Sequence, residues 1–168
     1  MPINIQLVLH RIHAIIKNAG LVTAQPALEA AGRLYAIYNN TTSRHVYVGT
    51  AGNLQVRFRE RIAAAREFGF NNAALNPIRV HAYRVIVNGQ ARQPNDLGFA
   101  GGIDVEHLLI RLHLNQGINL RNINKLAPYL NTSGQVINLT LTSSPALVVP
   151  AYLGGAVINA AIANLANY

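Results

Sequence analysis

The spacing of apolar side chains changes along the chain and predicts a mixture of helices and strands. Between residues 3 and 19, apolar side chains recur at three- and four-residue intervals, which predicts an amphipathic helix. The side chains at this spacing are Ile5, Leu9, Ile12 and Ile16. Residues 34–38 and 45–49 are instead aromatic and β-branched, and a polar cluster separates them. This pattern predicts two strands paired as an antiparallel hairpin.

The middle of the chain predicts two further helices and a third strand. Asn53 can cap a helix that runs to about residue 68, and Asp104 can cap another over residues 104–114. Residues 79–87 alternate apolar and polar positions and end at Asn88-Gly89, which predicts a strand followed by a turn. Residues 90–102 are rich in Pro, Gly and Asn and are predicted to form a loop.

The last 43 residues contain no charged side chain, because Lys125 is the final one. A strand is predicted over residues 136–141 and an apolar helix within residues 145–166. Prolines and a Gly154-Gly155 pair interrupt that apolar stretch, so no stable membrane insertion is expected. The segment is predicted to pack on the core or at an interface, such as that of a homodimer.

These elements predict an α+β fold, a small antiparallel three-stranded sheet flanked by helices. The predicted organisation has three parts: an N-terminal helical extension (1–31), a core (32–125) and an uncharged C-terminal extension of strand and helix (126–168). The chain has 168 residues, of which 51% are hydrophobic, and this suits a packed domain rather than a disordered one.

Charge narrows the class of partner. Fourteen Lys and Arg stand against six Asp and Glu, for a net charge of +8, and twelve of the fourteen cations are arginine. The planar guanidinium suits phosphate oxygens, so nucleic acid is the first candidate and an anionic membrane surface the second. Cysteine is absent, which excludes disulfides and thiolate metal sites. No signal peptide is seen at the N-terminus, and a cytoplasmic site of action is expected, after export and delivery if the protein is a toxin.

Few acidic residues are available for hydrolytic chemistry. A metal-dependent nuclease needs an oxygen ligand for a hard divalent cation. The six candidates are Glu29, Glu60, Glu67, Asp96, Asp104 and Glu106. Asp104 suits a helix cap, whereas Glu106 lies one short turn into its helix, ahead of an apolar run. Glu106 is therefore the strongest candidate, and a single bound metal fits the scarcity of acids better than two.

Several short motifs occur in a fixed order along the chain. Ala36-Ile37-Tyr38 is followed by Tyr47-Val48-Gly49 and then by an Asn-Leu pair at residues 53 and 54. Arg57 lies ten residues after Tyr47, and Glu106 precedes His-Leu-Leu-Ile. Taken together, this order resembles the signature of the GIY-YIG nuclease superfamily, over roughly residues 32–124. Ala36 stands in place of the first glycine of that signature.

The resemblance implies hydrolysis of DNA phosphodiester bonds with one Mg²⁺ or Mn²⁺. It assigns the metal to Glu106, water activation to Tyr38 or Tyr47, and contact with the scissile phosphate to Arg57. Further phosphate-binding candidates are Arg61, Thr50, Asn119 and Asn122. Arg61 replaces the usual His or Tyr, and it cannot act as a general base at neutral pH. Thr50 stands where some members have a lysine. Tyr35 is assigned to packing.

Three hypotheses remain open from the sequence. The first is an endonuclease of the toxin type, paired with an immunity protein, or of the restriction type. The second is a non-catalytic nucleic-acid-binding module that keeps the GIY-YIG-like fold. The third is a protein directed to a membrane or a partner through its uncharged C-terminal segment.

Overall fold

A computed structural model describes residues 1–18, 21–25, 33–39, 44–54, 56, 78–92, 102–144 and 157–168 of the chain. Within these ranges the fold is mostly β, with one long helix, α1 (Val105–Asn115). The strands are β1 (Ile3–Asn18), β2 (Leu21–Gln25), β3 (Arg33–Asn39), β4 (Arg44–Ala51), β5 (Ile78–Val87), β6 (Gln90–Arg92), β7 (Ile137–Ser143) and β8 (Ile158–Ile162).

All eight strands belong to one curled, mixed sheet. Six of them follow the order β4-β3-β5-β1-β7-β8, while β2 pairs with β1 and β6 with β5. The pairing of β1 with β7 is parallel, and the other pairings are antiparallel. Each of the three predicted parts of the chain therefore contributes strands to the same sheet.

The predicted fold class, a three-stranded sheet flanked by helices, is wrong. The N-terminal helix is absent because residues 3–18 form β1, the strand that lies between β5 and β7. A register shift between Leu9 and Arg11 explains the misleading spacing. Ile5 and Leu9 belong to the larger of two apolar core clusters, and Ile12, which follows the register shift, packs against the same cluster. Because of the bulge, one face of the strand therefore shows the three- and four-residue spacing of a helix.

The predicted C-terminal helix is also wrong where the structure describes it. Ile158–Ile162 forms β8, an antiparallel neighbour of β7. Residues 145–156 lie outside the described residues, as do those of the predicted 53–68 helix beyond residue 56. Ile158, Ala160 and Ile162 all contact the larger core cluster, which is the two-residue period of a strand. A short apolar run rich in small residues fits both the spacing of a helix and the spacing of a strand. Pairing with a neighbouring strand then decides which of the two forms.

Several predicted elements are confirmed. The hairpin forms from β3 and β4, and β5 pairs with β3 on its other side, so the three predicted strands are neighbours. Asn88 and Gly89 both have positive φ, 48° and 80°, as expected for the tight turn that joins β5 to β6. The strand predicted at residues 136–141 is β7, and the predicted 104–114 helix is α1. Part of the predicted 90–102 loop is the short strand β6.

Two apolar clusters cover the two faces of the sheet. The larger one lies between the sheet and α1 and contains Val105, Leu108, Leu109 and Leu112 of that helix. The smaller one lies on the opposite face and includes Tyr35, Ile37 and Leu54. Side chains alternate between these faces along β3 and, from Tyr47 onwards, along β4, where a register shift places Val46 on the same face as Tyr47. This arrangement decides which candidate residues can meet.

Candidate functional site

The first turn of α1 presents a carboxylate at the edge of the larger core. Asp104 is the N-cap of α1, since its Oδ1 accepts a hydrogen bond from the backbone N–H of His107 at 3.0 Å. Val105 and Leu108 anchor the turn in the core. Glu106 lies between them with 18% of its side chain exposed. A negative charge here is also favoured by the positive end of the helix dipole.

Thr50 and Glu106 are 56 residues apart in sequence and in direct contact in the structure. The Thr50 hydroxyl donates a hydrogen bond of 2.6 Å to Oε2 of Glu106. Thr50 is the penultimate residue of β4 and follows Val48, which packs in the core beneath α1. Two residues selected from the sequence therefore meet where β4 ends against α1.

Lys125 completes a cluster with two carboxylates. Its Nζ lies 2.9 Å from Oδ2 of Asp104 and 3.3 Å from Oε1 of Glu106. Burial lowers the pKa of Lys125, but the hydrogen bond to Asp104 and the charge of Glu106 outweigh burial and raise it above its ordinary value. The ammonium is therefore charged throughout the physiological pH range. Sequence inspection missed Lys125, although it is the last charged residue of the chain.

Asn122 fixes the outer edge of β4. Its side-chain amide donates to the carbonyl of Val48 at 2.8 Å, and its side-chain oxygen accepts from the N–H of Val48 at 3.0 Å. The N–H of Arg121 donates to the carbonyl of Val46 at 2.7 Å, so the 121–122 segment continues the sheet beyond its edge strand. Asn122 is buried, whereas Asn119 is exposed. The contacts of Asn122 make it a positioning residue for β4.

Two tyrosines meet on the opposite face of the hairpin. The ring centroids of Tyr35 and Tyr47 are 6.3 Å apart. Gly49 pairs with Tyr35 across the hairpin and leaves room for both rings. A Cβ added at Gly49 would lie 2.9 Å from the Tyr35 hydroxyl oxygen and 2.9 Å from Cε1 of Tyr47. Tyr35 is thus the tyrosine that contacts Tyr47. The alternation of side chains along β3 places Tyr35 on the same face as Ile37, which pairs with Tyr47.

Tyr38 lies on the other face from Tyr47. It pairs with Arg79 of β5 and its ring stacks on His81, with centroids 5.0 Å apart. Thr50 pairs with Leu34, four residues earlier on β3, so Tyr38 is about 13 Å along the strand from the Thr50–Glu106 contact. The structure does not bring Tyr38 together with Tyr47 or with Glu106.

Arg57 and Arg61 lie outside the described residues, and their assignments remain predictions. The element that precedes them begins on the tyrosine face. Leu54 is fully buried in the smaller cluster, and the side-chain oxygen of Asn53 accepts from the N–H of Val56 at 3.1 Å. This is the capping contact expected of Asn53.

A metal ion at this cluster would have to bind through the oxygens of Asp104, Glu106 or Thr50. Within the described ranges, no three His, Cys, Asp or Glu side chains are close enough to enclose a metal ion. Mg²⁺ does not need such a cage, since it commonly binds one or two carboxylates and keeps waters or substrate oxygens as its other ligands. Here the two carboxylates are Asp104 and Glu106, and both pair with the Lys125 ammonium.

No protein-family model, curated protein or solved structure matches the chain. Across the described parts of the chain, no helix has the length and apolar character needed to cross a membrane.

Proposed function

We propose that the chain is a divalent-metal-dependent endonuclease that hydrolyses DNA, with Glu106 as its metal-binding residue. The observation that carries this proposal is the contact between Thr50 and Glu106. The two residues are 56 positions apart in sequence, and Asn122, which the same resemblance indicates, bonds the same strand at Val48. The net charge of +8 and the preponderance of arginine fit a phosphate-rich substrate.

The chemistry required is in-line attack of water on a phosphodiester. A divalent cation would neutralise charge on the phosphate and favour deprotonation of water. Glu106 would hold the cation, and the Thr50 hydroxyl fixes the orientation of that carboxylate. Tyr47 is the proposed residue for orienting the water, and Arg57 is the proposed phosphate contact from the sequence resemblance. Tyr47 and Glu106 lie on opposite sides of β4, whose outer edge is bonded to residues 121 and 122 at Val46 and Val48.

Cleavage of supercoiled plasmid tests the proposal. We expect the purified protein to convert plasmid to nicked and linear forms in Mg²⁺ or Mn²⁺, and excess EDTA to abolish this conversion. A chain that binds the plasmid but leaves it intact in both metals overturns the proposal.

The second candidate function is a nucleic-acid-binding module without catalysis. It is favoured by the separation of Tyr47 from Glu106 across β4 and by the engagement of Glu106 with Lys125. In this case a gel-shift titration would give the same affinity for duplex DNA with Mg²⁺ and with EDTA, and the DNA would remain uncut.

The biological role is proposed as a toxin-type or restriction-type DNase. Sequencing the ends of cleaved plasmid separates the two. Random ends favour a toxin, for which an immunity protein is the expected partner, whereas a fixed sequence at the ends favours a restriction enzyme.

A further inference from the structure

One side of the sheet is open to solvent where β5, β1, β7 and β8 lie next to one another. Along these strands, alternate side chains enter the larger core under α1, and the others point to the opposite side. Two of the polar side chains on that side are partly buried and the others are exposed. They form the open face, which consists of Asn4, Gln6, Arg84, Asn138, Thr140 and Asn159.

Strand register brings these side chains into adjacent positions. Gln6 pairs with Thr140 on β7, and Thr140 pairs in turn with Asn159 on β8. Arg84 pairs with Val8, two residues along β1 from Gln6. Neighbouring strands lie about 4.8 Å apart, and residues advance by about 3.3 Å along a strand. The open face therefore measures roughly 15 Å in each direction.

The hydrogen bonds within the open face leave amide donors available. Nδ2 of Asn138 donates to Oδ1 of Asn4 at 2.9 Å, and the hydroxyl of Thr140 donates to Oδ1 of Asn159 at 3.1 Å. Both bonds use the side-chain oxygen of an exposed asparagine, so its N–H groups can still donate to a ligand. The exposed guanidinium of Arg84 makes no hydrogen bond or ion pair within the described ranges, and it offers five further N–H donors.

The open face carries no negative charge in the part of the chain that the structure describes. The acidic side chains described are Asp104 and Glu106, and both lie at the start of α1, on the other side of the sheet. A surface with donors and a positive charge but no carboxylate is complementary to an anionic ligand that is rich in acceptors. The phosphodiester backbone of a nucleic acid has both properties, and arginine and amide side chains commonly bind it.

The open face is continuous with the pair formed by Tyr35 and Tyr47. Tyr35 pairs with Ala82 on β5, two residues before Arg84, so Arg84 and the two tyrosines lie on the same side of the sheet. The spacing of strands puts the Cα atoms of Tyr35 and Arg84 about 8 Å apart. A duplex bound at the open face would therefore extend towards Tyr47, the residue proposed to orient the attacking water.

We propose that the open face binds the phosphodiester backbone of DNA beside the tyrosine pair. Arg84 contacts a phosphate through its charge, and the amides of Gln6 and Asn159 donate hydrogen bonds to the backbone. Binding requires no metal, because no carboxylate takes part. The inference rests on the proposed function only for the class of partner, a nucleic acid, and it applies equally to a nuclease and to a binding module.

The contribution of Arg84 is tested by the affinity for a fluorescently labelled duplex, measured by anisotropy in EDTA at several salt concentrations. We expect Arg84→Gln to weaken binding about fivefold and to lower the slope of log affinity against log salt by about 0.9, as for one lost phosphate contact. Arg92→Gln is the matched control, because Arg92 is also exposed but pairs with Val85, which lies on the α1 side. It should bind like the wild type. Equal losses for both arginines overturn the proposal, since they indicate an effect of net charge alone.

The amides are tested without any change of charge. The double variant Gln6→Ala/Asn159→Ala removes two donors and should weaken binding about tenfold while the salt slope is preserved. Gln90→Ala is the control, because Gln90 is exposed and pairs with Val87 on the α1 side. All these side chains are exposed, so the variants should fold, and thermal melting checks this. Wild-type affinity in the double variant overturns the role of the amides.

The outcomes separate the open face from the nuclease. Weaker binding by Arg84→Gln, with plasmid left intact by the wild type in Mg²⁺ and Mn²⁺, supports the open face and refutes the nuclease. Plasmid cleavage by the wild type, with unchanged duplex affinity of Arg84→Gln, overturns the open face alone. Vesicles that contain phosphatidylserine test another anionic ligand. A loss of vesicle binding in Arg84→Gln without a loss of duplex binding assigns the open face to a membrane surface and overturns the proposal.

Discussion

Gly49 lies where there is no room for a Cβ atom. The hydroxyl of Tyr35 and the ring of Tyr47 fill the space that a Cβ would occupy, each at 2.9 Å. We expect Gly49→Ala to lower the free energy of unfolding by about 1–3 kcal/mol, because both rings must shift in a packed cluster. Urea denaturation measures this loss.

Gly52 provides the matched control for Gly49. A Cβ at Gly52 meets no atom within 4 Å, so Gly52→Ala should be close to neutral. Equal effects of the two substitutions would contradict the close packing of Tyr35 and Tyr47 around Gly49.

Tyr83 carries a buried hydroxyl that has no partner among the described residues. The residue is 1% exposed, and its hydroxyl oxygen makes no hydrogen bond within the described part of the chain. Burial raises the pKa of Tyr83 well above its ordinary value, so the phenol stays protonated. We expect Tyr83→Phe to increase the free energy of unfolding by about 1 kcal/mol, because it removes a polar group that is desolvated without compensation.

Tyr129→Phe is the contrasting substitution. The Tyr129 hydroxyl has a hydrogen bond to the backbone of Asp104, so its removal should destabilise the protein. Chemical denaturation of the two variants side by side gives the comparison, and a loss of stability in Tyr83→Phe would contradict the absence of a partner.

At the scale of elements, β4 is an edge strand whose exposed backbone is paired by a side chain. Asn122 supplies a donor and an acceptor to Val48, as a neighbouring strand would. We expect Asn122→Ala to cost about 2 kcal/mol of unfolding free energy and to accelerate hydrogen exchange at the Val48 amide. Asn119→Ala, three residues earlier and exposed, should change neither quantity. A Val48 amide that exchanges equally slowly in Asn122→Ala would contradict this role.

Strands and helices could be predicted from the sequence where the spacing of apolar residues stays the same along the whole element. β3, β4, β5 and β7 alternate cleanly or are rich in aromatic and β-branched residues, and α1 has a capping aspartate and a helical stripe. β1 was not predictable, because the register shift after Leu9 moves Ile12 onto the same face as Ile5 and Leu9. Local spacing does not reveal a bulge, whose position is decided by pairing with β5.

The candidate site was predictable only in part, for a related reason. Thr50, Glu106 and Asn122 were candidates from the sequence and lie close to β4, although their proposed roles in binding phosphate and metal stay predictions. Tyr35, and not Tyr38, contacts Tyr47 because Tyr35 and Tyr47 lie on the same face of the sheet. The Ala36-Ile37-Tyr38 motif does not indicate on which face a side chain lies. Lys125 reaches the site through the loop after α1, and the position of that loop is fixed by long-range hydrogen bonds rather than by sequence spacing.

At the scale of the whole molecule, two buried histidines couple stability to pH. Burial, then the charges of His113 and Arg79, lowers the pKa of His81 to about 3. Burial lowers the pKa of His113 to about 4, against a smaller opposing effect of its bond to the Leu109 carbonyl. The unfolded chain therefore binds more protons than the folded one between about pH 4 and 6.5.

Stability should be greatest above pH 6.5 and fall as the pH drops towards 4. Each histidine contributes a slope of up to about 1.4 kcal/mol per pH unit in that window. Urea denaturation between pH 4 and 8 measures the slope. His113→Leu removes one titrating group and should flatten the profile, whereas a wild-type profile that is flat below pH 6.5 would contradict the burial of neutral imidazoles.

The central claim, that Glu106 holds the catalytic cation, is tested most directly by plasmid cleavage with Glu106→Gln. This substitution preserves the shape of the side chain and the partner of Thr50 but removes the charge that binds a divalent ion. We predict a fall in the Mg²⁺-dependent cleavage rate of about 100-fold or more, with folding retained by thermal melting. Glu29→Gln, which removes the same charge elsewhere in the chain, should cleave like the wild type. Cleavage by Glu106→Gln at close to the wild-type rate would contradict the claim.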